Sequence, residues 1–274
     1  MKIMIAGLGL IGGSMAKSLK RAGYAVAGSD RSSVEEAALK AGAIDAIARD
    51  TAAYDVVFVA LPPDAAMQFI GASAFREGAI VADICGVKGV LEKFVYSAPR
   101  VFRYVGCHPM AGKEVSGFEN SDASLFDGAS MIVTLCEKTD PAALSQLKEL
   151  FGQMGFGLVR ECTAAYHDEK IAYTSQLAHI VSNAYVKSGT ANGFPGFTGG
   201  SFQDMTRIAG VDEEVWTRLY MLNLPAVTAE LETLIGHLSE YLAALQGGDE
   251  QALKELLRQG RLRKAELDRE KKIL

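Results

Sequence analysis

KIMIAGLGLIGGSMAKSLKRAGYAVAGSDR, residues Lys2 to Arg31, opens with a short apolar run, Ile3 to Ala6, that reads as a strand buried on both faces. Gly7, Gly9 and Gly12 follow in the spacing G-x-G-x-x-G. A helical pattern comes next, with Met15, Leu19 and Ala22 on one side and Lys17, Lys20 and Arg21 on the other, and Gly23 at its end. A second apolar run then leads to Asp30. Each glycine has a physical task. Gly7 permits a tight strand-to-helix turn, Gly9 lets a diphosphate approach the backbone, and Gly12 lets the helix pack close to the strand. The loop Gly7, Leu8, Gly9, Leu10, Ile11, Gly12 is thereby expected to hold a dinucleotide at the positive end of the helix dipole. Asp30 is placed to accept hydrogen bonds from the adenosine ribose, and its charge opposes a 2′-phosphate, so NAD is expected over NADP. Arg31 either pairs with such a phosphate or covers the adenine.

Working outward, the first half of the chain alternates apolar runs with helical patterns, which reads as a parallel sheet with helices on both faces. Runs at Val56–Leu61, Ala79–Ile84, Tyr104–Cys107, Met131–Leu135 and Gly157–Val159 supply further strands. Leu61, Pro62 and Gly86 follow two of them, at the edge where ligands sit in such sheets. Ser33-x-x-Glu36 is expected to form a capping box on the second helix. From about Ala164 helical patterns take over, over Ala165–Ser188, Asp212–Leu245 and Glu250–Ile273. The expected plan is α/β: a dinucleotide-binding Rossmann domain over 1–162, then an all-helical domain over 163–274. The glycine-rich segment 191–201 either lines a site or connects two helices.

Composition narrows the function. The net charge of −5 argues against a nucleic-acid partner. No apolar run reaches the ~20 residues of a membrane span, and no leader precedes the first strand, so a cytoplasmic protein is expected. Cys85, Cys107, Cys136 and Cys162 lack C-x-x-C spacing and read as free thiols, with no metal site.

His108 follows a strand directly and precedes Pro-Met-Ala-Gly, which sets it at the ligand-binding edge. An imidazole there can take a proton from a substrate hydroxyl as hydride leaves the same carbon. His179 shares a helix face with Ser175, four residues back, and serves either a site or the core. His167, beside Asp168, reads as part of a helix cap, and His237 as structural. Arg207, flanked by apolar residues, suits a carboxylate, either a ligand's or that of Asp204.

Taken together, GLGLIGGS (7–14), VKG (87–89), HPMAGKEVSG (108–117), HDEKIAYTSQLAHIVSNA (167–184) and GGSFQDMTRIA (199–209) resemble the prephenate/arogenate dehydrogenase family of tyrosine biosynthesis. The resemblance implies a Rossmann domain, a helical domain that builds a homodimer, and NAD-dependent oxidative decarboxylation of prephenate or arogenate. It implies that His108 contacts the ring hydroxyl and that Arg207 holds a carboxylate. His179, Ser175, Glu114 and Trp216 would line the substrate pocket. Two departures stand out: Gly86 occupies a position where many members carry a serine, and the chain ends without the regulatory domain that some relatives have. A β-hydroxyacid dehydrogenase or imine reductase would share the two-domain plan, with Lys170 or Lys187 as the catalytic lysine. A nucleotide sensor without turnover would have no use for His108 and Arg207 together.

Overall fold

A computed structural model describes residues 1–113 and 115–271. Eight strands form one sheet: β1 (Ile3–Ala6), β2 (Val26–Ser29), β3 (Ala46–Ile47), β4 (Val56–Val59), β5 (Ile80–Asp83), β6 (Arg103–Pro109), β7 (Ser130–Thr134) and β8 (Leu158–Cys162). Their order is β3-β2-β1-β4-β5-β6-β7-β8. The order reverses between β1 and β4, and the carboxyl ends of β1, β4, β5 and β6 share one edge. In doubly wound sheets that crevice is where ligands bind.

Alternation along each strand builds two cores. Ile3, Ile5, Phe58 and Ile80 face α1 (Leu10–Arg21) and α5 (Pro141–Met154), packing on Met15, Leu19, Leu147 and Phe151. Met4, Val57, Val59 and Val81 face α3 (Pro63–Ala72) and α4 (Gly89–Val95), packing on Ala66, Ile70, Leu91 and Val95.

Three sequence expectations are corrected. β7 runs antiparallel to β6, so the sheet is not wholly parallel. Its connection, 110–129, carries a short 3₁₀ turn at Phe118–Asn120 and no α-helix to bring the chain back to the opposite edge. The two-residue edge strand β3 is too short to show as an apolar run. The capping box does not form: α2 (Ser32–Lys40) starts after Arg31 with no side-chain cap. Its buried acid is Glu35, which accepts the Asp30 N–H (3.1 Å) and pairs bidentately with Arg49 (2.6 and 2.7 Å).

The helical half begins with α6 (Ala164–Ile171), a π-helical turn (Ala172–Leu177) and α7 (Ala178–Tyr185), which run on from one another. Then come α8 (Gly200–Thr206) and α9 (Glu213–Leu222). The long helix expected over 212–245 is broken at Asn223, ahead of Pro225, which disfavours helical backbone at the residue before it. By its contacts the chain divides into compact units at Met1–Asn223 and Leu224–Leu274, so α6 to α9 pack with the sheet rather than apart from it after residue 162.

The second unit pairs α10 (Leu224–Gln246) with α11 (Glu250–Lys271) across Gly247 and Gly248. Ile235, Leu238, Leu242 and Leu245 stand along α10 at helical spacing, each more than half exposed. Among the described residues no helix is long and apolar enough to cross a membrane.

Candidate active site

The loop after β1 is built by what its glycines lack. Gly7 has φ +89°, and a Cβ there would run into the Ala60 carbonyl. A Cβ on Gly12 would overlap the Gly7 carbonyl oxygen, whereas one on Gly9 would meet nothing within 4 Å. Gly9 precedes α1, which has no side-chain cap and no acid in its first turn. An anionic diphosphate fits there, against a positive helix end approached by bare backbone. Because the atom in its way is backbone, Gly12→Ala is expected to cost ~1–3 kcal/mol and weaken dinucleotide binding, measured as a lower urea midpoint and a higher Kd. An unchanged midpoint would show that the turn yields.

Asp30 stands at the end of β2. Its Oδ2 accepts the Leu8 N–H (2.6 Å) and its Oδ1 accepts the Arg31 N–H (2.7 Å). The carboxylate is thus fixed beside the glycine loop, and each oxygen keeps a lone pair for a ribose hydroxyl. Arg31 is 87% exposed at the side chain and 3.8 Å from Asp30. Leu8 contributes only its backbone here: its side chain is fully buried, filling the space that Gly28 leaves. Leu10 and Ile11 are half-buried at the start of α1. Leu61 packs on Gly7 and takes a hydrogen bond from the Cys85 thiol (3.3 Å), while Pro62 is exposed ahead of α3.

His108 lies near the carboxyl end of β6. Its Nδ1 is 2.8 Å from His167 Nε2, and His167 Nδ1 is 2.8 Å from Asp168 Oδ1. His167 is therefore no part of a cap. Thr163 caps α6, and the His167 side chain is fully buried on the stripe Ala164, His167, Ile171. Burial, His167 and the Lys88 charge hold His108 well below the ordinary histidine value. Burial also lowers His167, against the opposing pull of Asp168.

Gly86 sits on the imidazole: a Cβ there would lie 3.7 Å from His108 Cε1 and Nε2, and 4.0 Å from Leu219 Cδ2. Leu219 belongs to α9, and its carbonyl takes a hydrogen bond from Gln176 of the π turn (3.4 Å). On the same helix, Trp216 stacks on His179 with ring centroids 3.8 Å apart, and His179 Nδ1 bonds the Ser175 carbonyl (2.9 Å). Arg218 holds Asp64 at the start of α3 bidentately (2.5 and 2.7 Å). His108, Gly86, Ser175, His179 and Trp216 thus belong to one connected set. Arg207 is exposed just past α8, in a segment tied to α7 by Ser182 to the Met205 carbonyl (2.7 Å) and Asn183 to the Ala209 carbonyl (3.0 Å). Glu114 lies outside the described residues. Among the described residues no group of three His, Cys, Asp or Glu side chains could hold a metal.

Beneath the site, Lys88 and Asp83 form an ion pair in which both side chains are fully buried. The Lys88 ammonium also donates to the Cys107 carbonyl (2.6 Å), and the Tyr104 hydroxyl donates to Asp83 (2.6 Å). Sequence reasoning placed Lys88 in a motif but gave no sign of its burial.

Residues 15–159 match the family model "Prephenate dehydrogenase, nucleotide-binding domain", and residues 163–259 match "Prephenate dehydrogenase, dimerization domain". The chain belongs to the prephenate dehydrogenase family. The two matches meet near the sequence boundary at 162, on the sheet side of the contact boundary at 223. The chain is 29% identical to prephenate dehydrogenase of Lactococcus lactis, over 95% of this chain and 75% of that one. It is 31% identical to that of Bacillus subtilis, over 81% of this chain and 64% of the other. Among solved structures, Aquifex aeolicus prephenate dehydrogenase in complex with hydroxyphenyl propionate and NAD+ superposes with a TM-score of 0.83 at 28% identity, covering 97% and 98% of the two chains. Synechocystis arogenate dehydrogenase does so with a TM-score of 0.80 at 27% identity, covering 97% and 100%. A 3-hydroxyisobutyrate dehydrogenase at 13% identity (TM-score 0.59) shares the fold alone. As a member of this family the chain is a dehydrogenase of tyrosine biosynthesis.

Proposed function

We propose that the chain oxidises prephenate with NAD, releasing carbon dioxide and 4-hydroxyphenylpyruvate. The observation that carries this is His108, held neutral near the carboxyl end of β6, with Gly86 leaving its Nε2 side uncrowded. NAD, when bound, accepts the hydride. His108 Nε2 takes the ring-hydroxyl proton as that hydride departs. The electrons of the breaking ring–carboxylate bond enter the ring, and the phenolate oxygen takes the proton back from His108. Arg207 holds a substrate carboxylate, and the His179–Trp216 stack, Ser175 and Glu114 line the pocket. NAD over NADP is supported by the fixed Asp30 charge at the ribose position, with Arg31 extended into solvent.

The exposed stripe on α10 and the dimerization-domain match support a homodimer. Four free cysteines suit a reducing, cytoplasmic setting. The name of the Synechocystis relative makes arogenate the second substrate to test. Prephenate and arogenate are to be assayed in parallel, each with NAD and NADP. NADH formation with prephenate is the expected outcome, and no reduced cofactor in any arm would overturn the proposal. Arg207→Ala is expected to raise the KM for prephenate by the equivalent of ~2–4 kcal/mol, with kcat less affected. An unchanged KM would assign the arginine to the fold.

A further inference from the structure

We infer that His167 and Asp168 are positioning residues that set which nitrogen of His108 carries the proton. The inference rests on His108 being the base proposed above. An ionised carboxylate only accepts, so Asp168 Oδ1, 2.8 Å from His167 Nδ1, requires a proton on that nitrogen. A neutral His167 then has a bare Nε2, which can only accept. Its 2.8 Å neighbour, His108 Nδ1, must donate. The proton of neutral His108 is therefore on Nδ1, and the lone pair is on Nε2, beside Gly86. The opposite tautomer would present an N–H to the substrate hydroxyl and could take no proton from it.

The carboxylate that starts this chain is itself fixed. Asp168 Oδ1 also accepts the Lys88 N–H (2.8 Å), and Oδ2 accepts the Gly89 N–H (2.8 Å), at the positive end of α4. Gly89 is required for this approach, since a Cβ there would lie 2.9 Å from Asp168 Oδ2. From the other side, Asn223 Nδ2 donates to the Asp168 carbonyl (2.9 Å) and to Gln176 Oε1 (2.7 Å). The V-K-G and H-D segments thus act as one device. The charged or titratable groups facing His108 are His167 and Asp168 from α6, and Lys88, neutralised by Asp83, from below. When His108 takes the proton, its Nδ1–H still points to His167, and the Asp168 charge stabilises the imidazolium through that ring.

The direct test is the imidazole nitrogen NMR spectrum of the full chain labelled with ¹⁵N-histidine, near neutral pH and without substrate. His108→Asn assigns the signals by removing one pair. His108 is expected to show a protonated Nδ1 and a bare Nε2, and a protonated Nε2 would overturn the inference. His167→Phe is expected to lower kcat ~10- to 100-fold with little change in KM. It should also move the acidic limb of kcat/KM to higher pH, because a neighbour that depresses His108 is gone. His167→Gln, whose amide can accept from His108 and donate to Asp168, is expected to recover most of the loss. A Phe variant with kcat within ~2-fold and an unmoved limb would overturn the positioning role. An inactive parent with the expected tautomer would sink the proposed reaction and leave the relay standing.

Discussion

His108→Asn is expected to lower turnover at least ~100-fold, the scale of a lost general base, while the Kd for NAD stays close to that of the parent. The asparagine amide reaches the position of imidazole Nδ1, so the bond to His167 can persist. It offers nothing at the position of Nε2. The two functions of the ring are thereby separated. Steady-state kinetics with prephenate and calorimetry with NAD measure the two sides of the result. Turnover within ~3-fold of the parent would remove His108 from the chemistry. The pH dependence has a definite sign. His108 and His167 are both held below the ordinary histidine value, so the folded chain binds fewer protons than the unfolded chain as pH falls through ~6.5. Their contribution to stability is full above that pH and is lost on acidification, whereas the base form at His108 persists to lower pH than a free imidazole would allow.

Lys88→Met is expected to lower stability by ~3–5 kcal/mol, a large share of the ~5–15 kcal/mol that holds a domain. Asp83 would be left buried without its cation, keeping the Tyr104 hydroxyl and the Cys85 N–H (3.0 Å) as partners. A carboxylate so placed favours its protonated form, so the deficit should shrink at acid pH and grow above it. Adding Asp83→Asn should return much of the loss, because the uncompensated charge and not the missing contact is the main cost. Urea midpoints at two pH values decide this. A single variant within ~1 kcal/mol of the parent at neutral pH would show that the pair is replaceable without penalty.

Both effects rest on burial, and burial is what the sequence conveys unevenly. The strands were legible because a two-sided sheet demands unbroken apolar runs, and Ile3–Ala6 and Val56–Val59 are such runs. The glycine loop and Asp30 were legible because their spacing follows from backbone geometry. The direction of β7 was not, since pairing depends on what the 110–129 connection does in space. His167 was misassigned because a histidine beside an aspartate one turn into a helix resembles a cap. Its place between Ala164 and Ile171 on the buried stripe was the available signal. Lys88 gave no signal at all, because nothing local in Val87-Lys88-Gly89 indicates an acid, a phenol and a carbonyl gathered around its ammonium. The Gly86 position was visible as a departure, but its contact with the imidazole emerged only from the fold.

The π-helical turn at 172–177 changes how the segment responds to insertions and deletions. An α-helix rotates ~100° per residue, so removing one residue there would regularise the turn and swing everything downstream by about that angle. His179 would leave Trp216, and Ser182 and Asn183 would lose the carbonyls of Met205 and Ala209. The upstream stripe with His167 would not move. The chain should therefore accept substitutions at exposed Tyr173 and Thr174 far more readily than a one-codon deletion beside them.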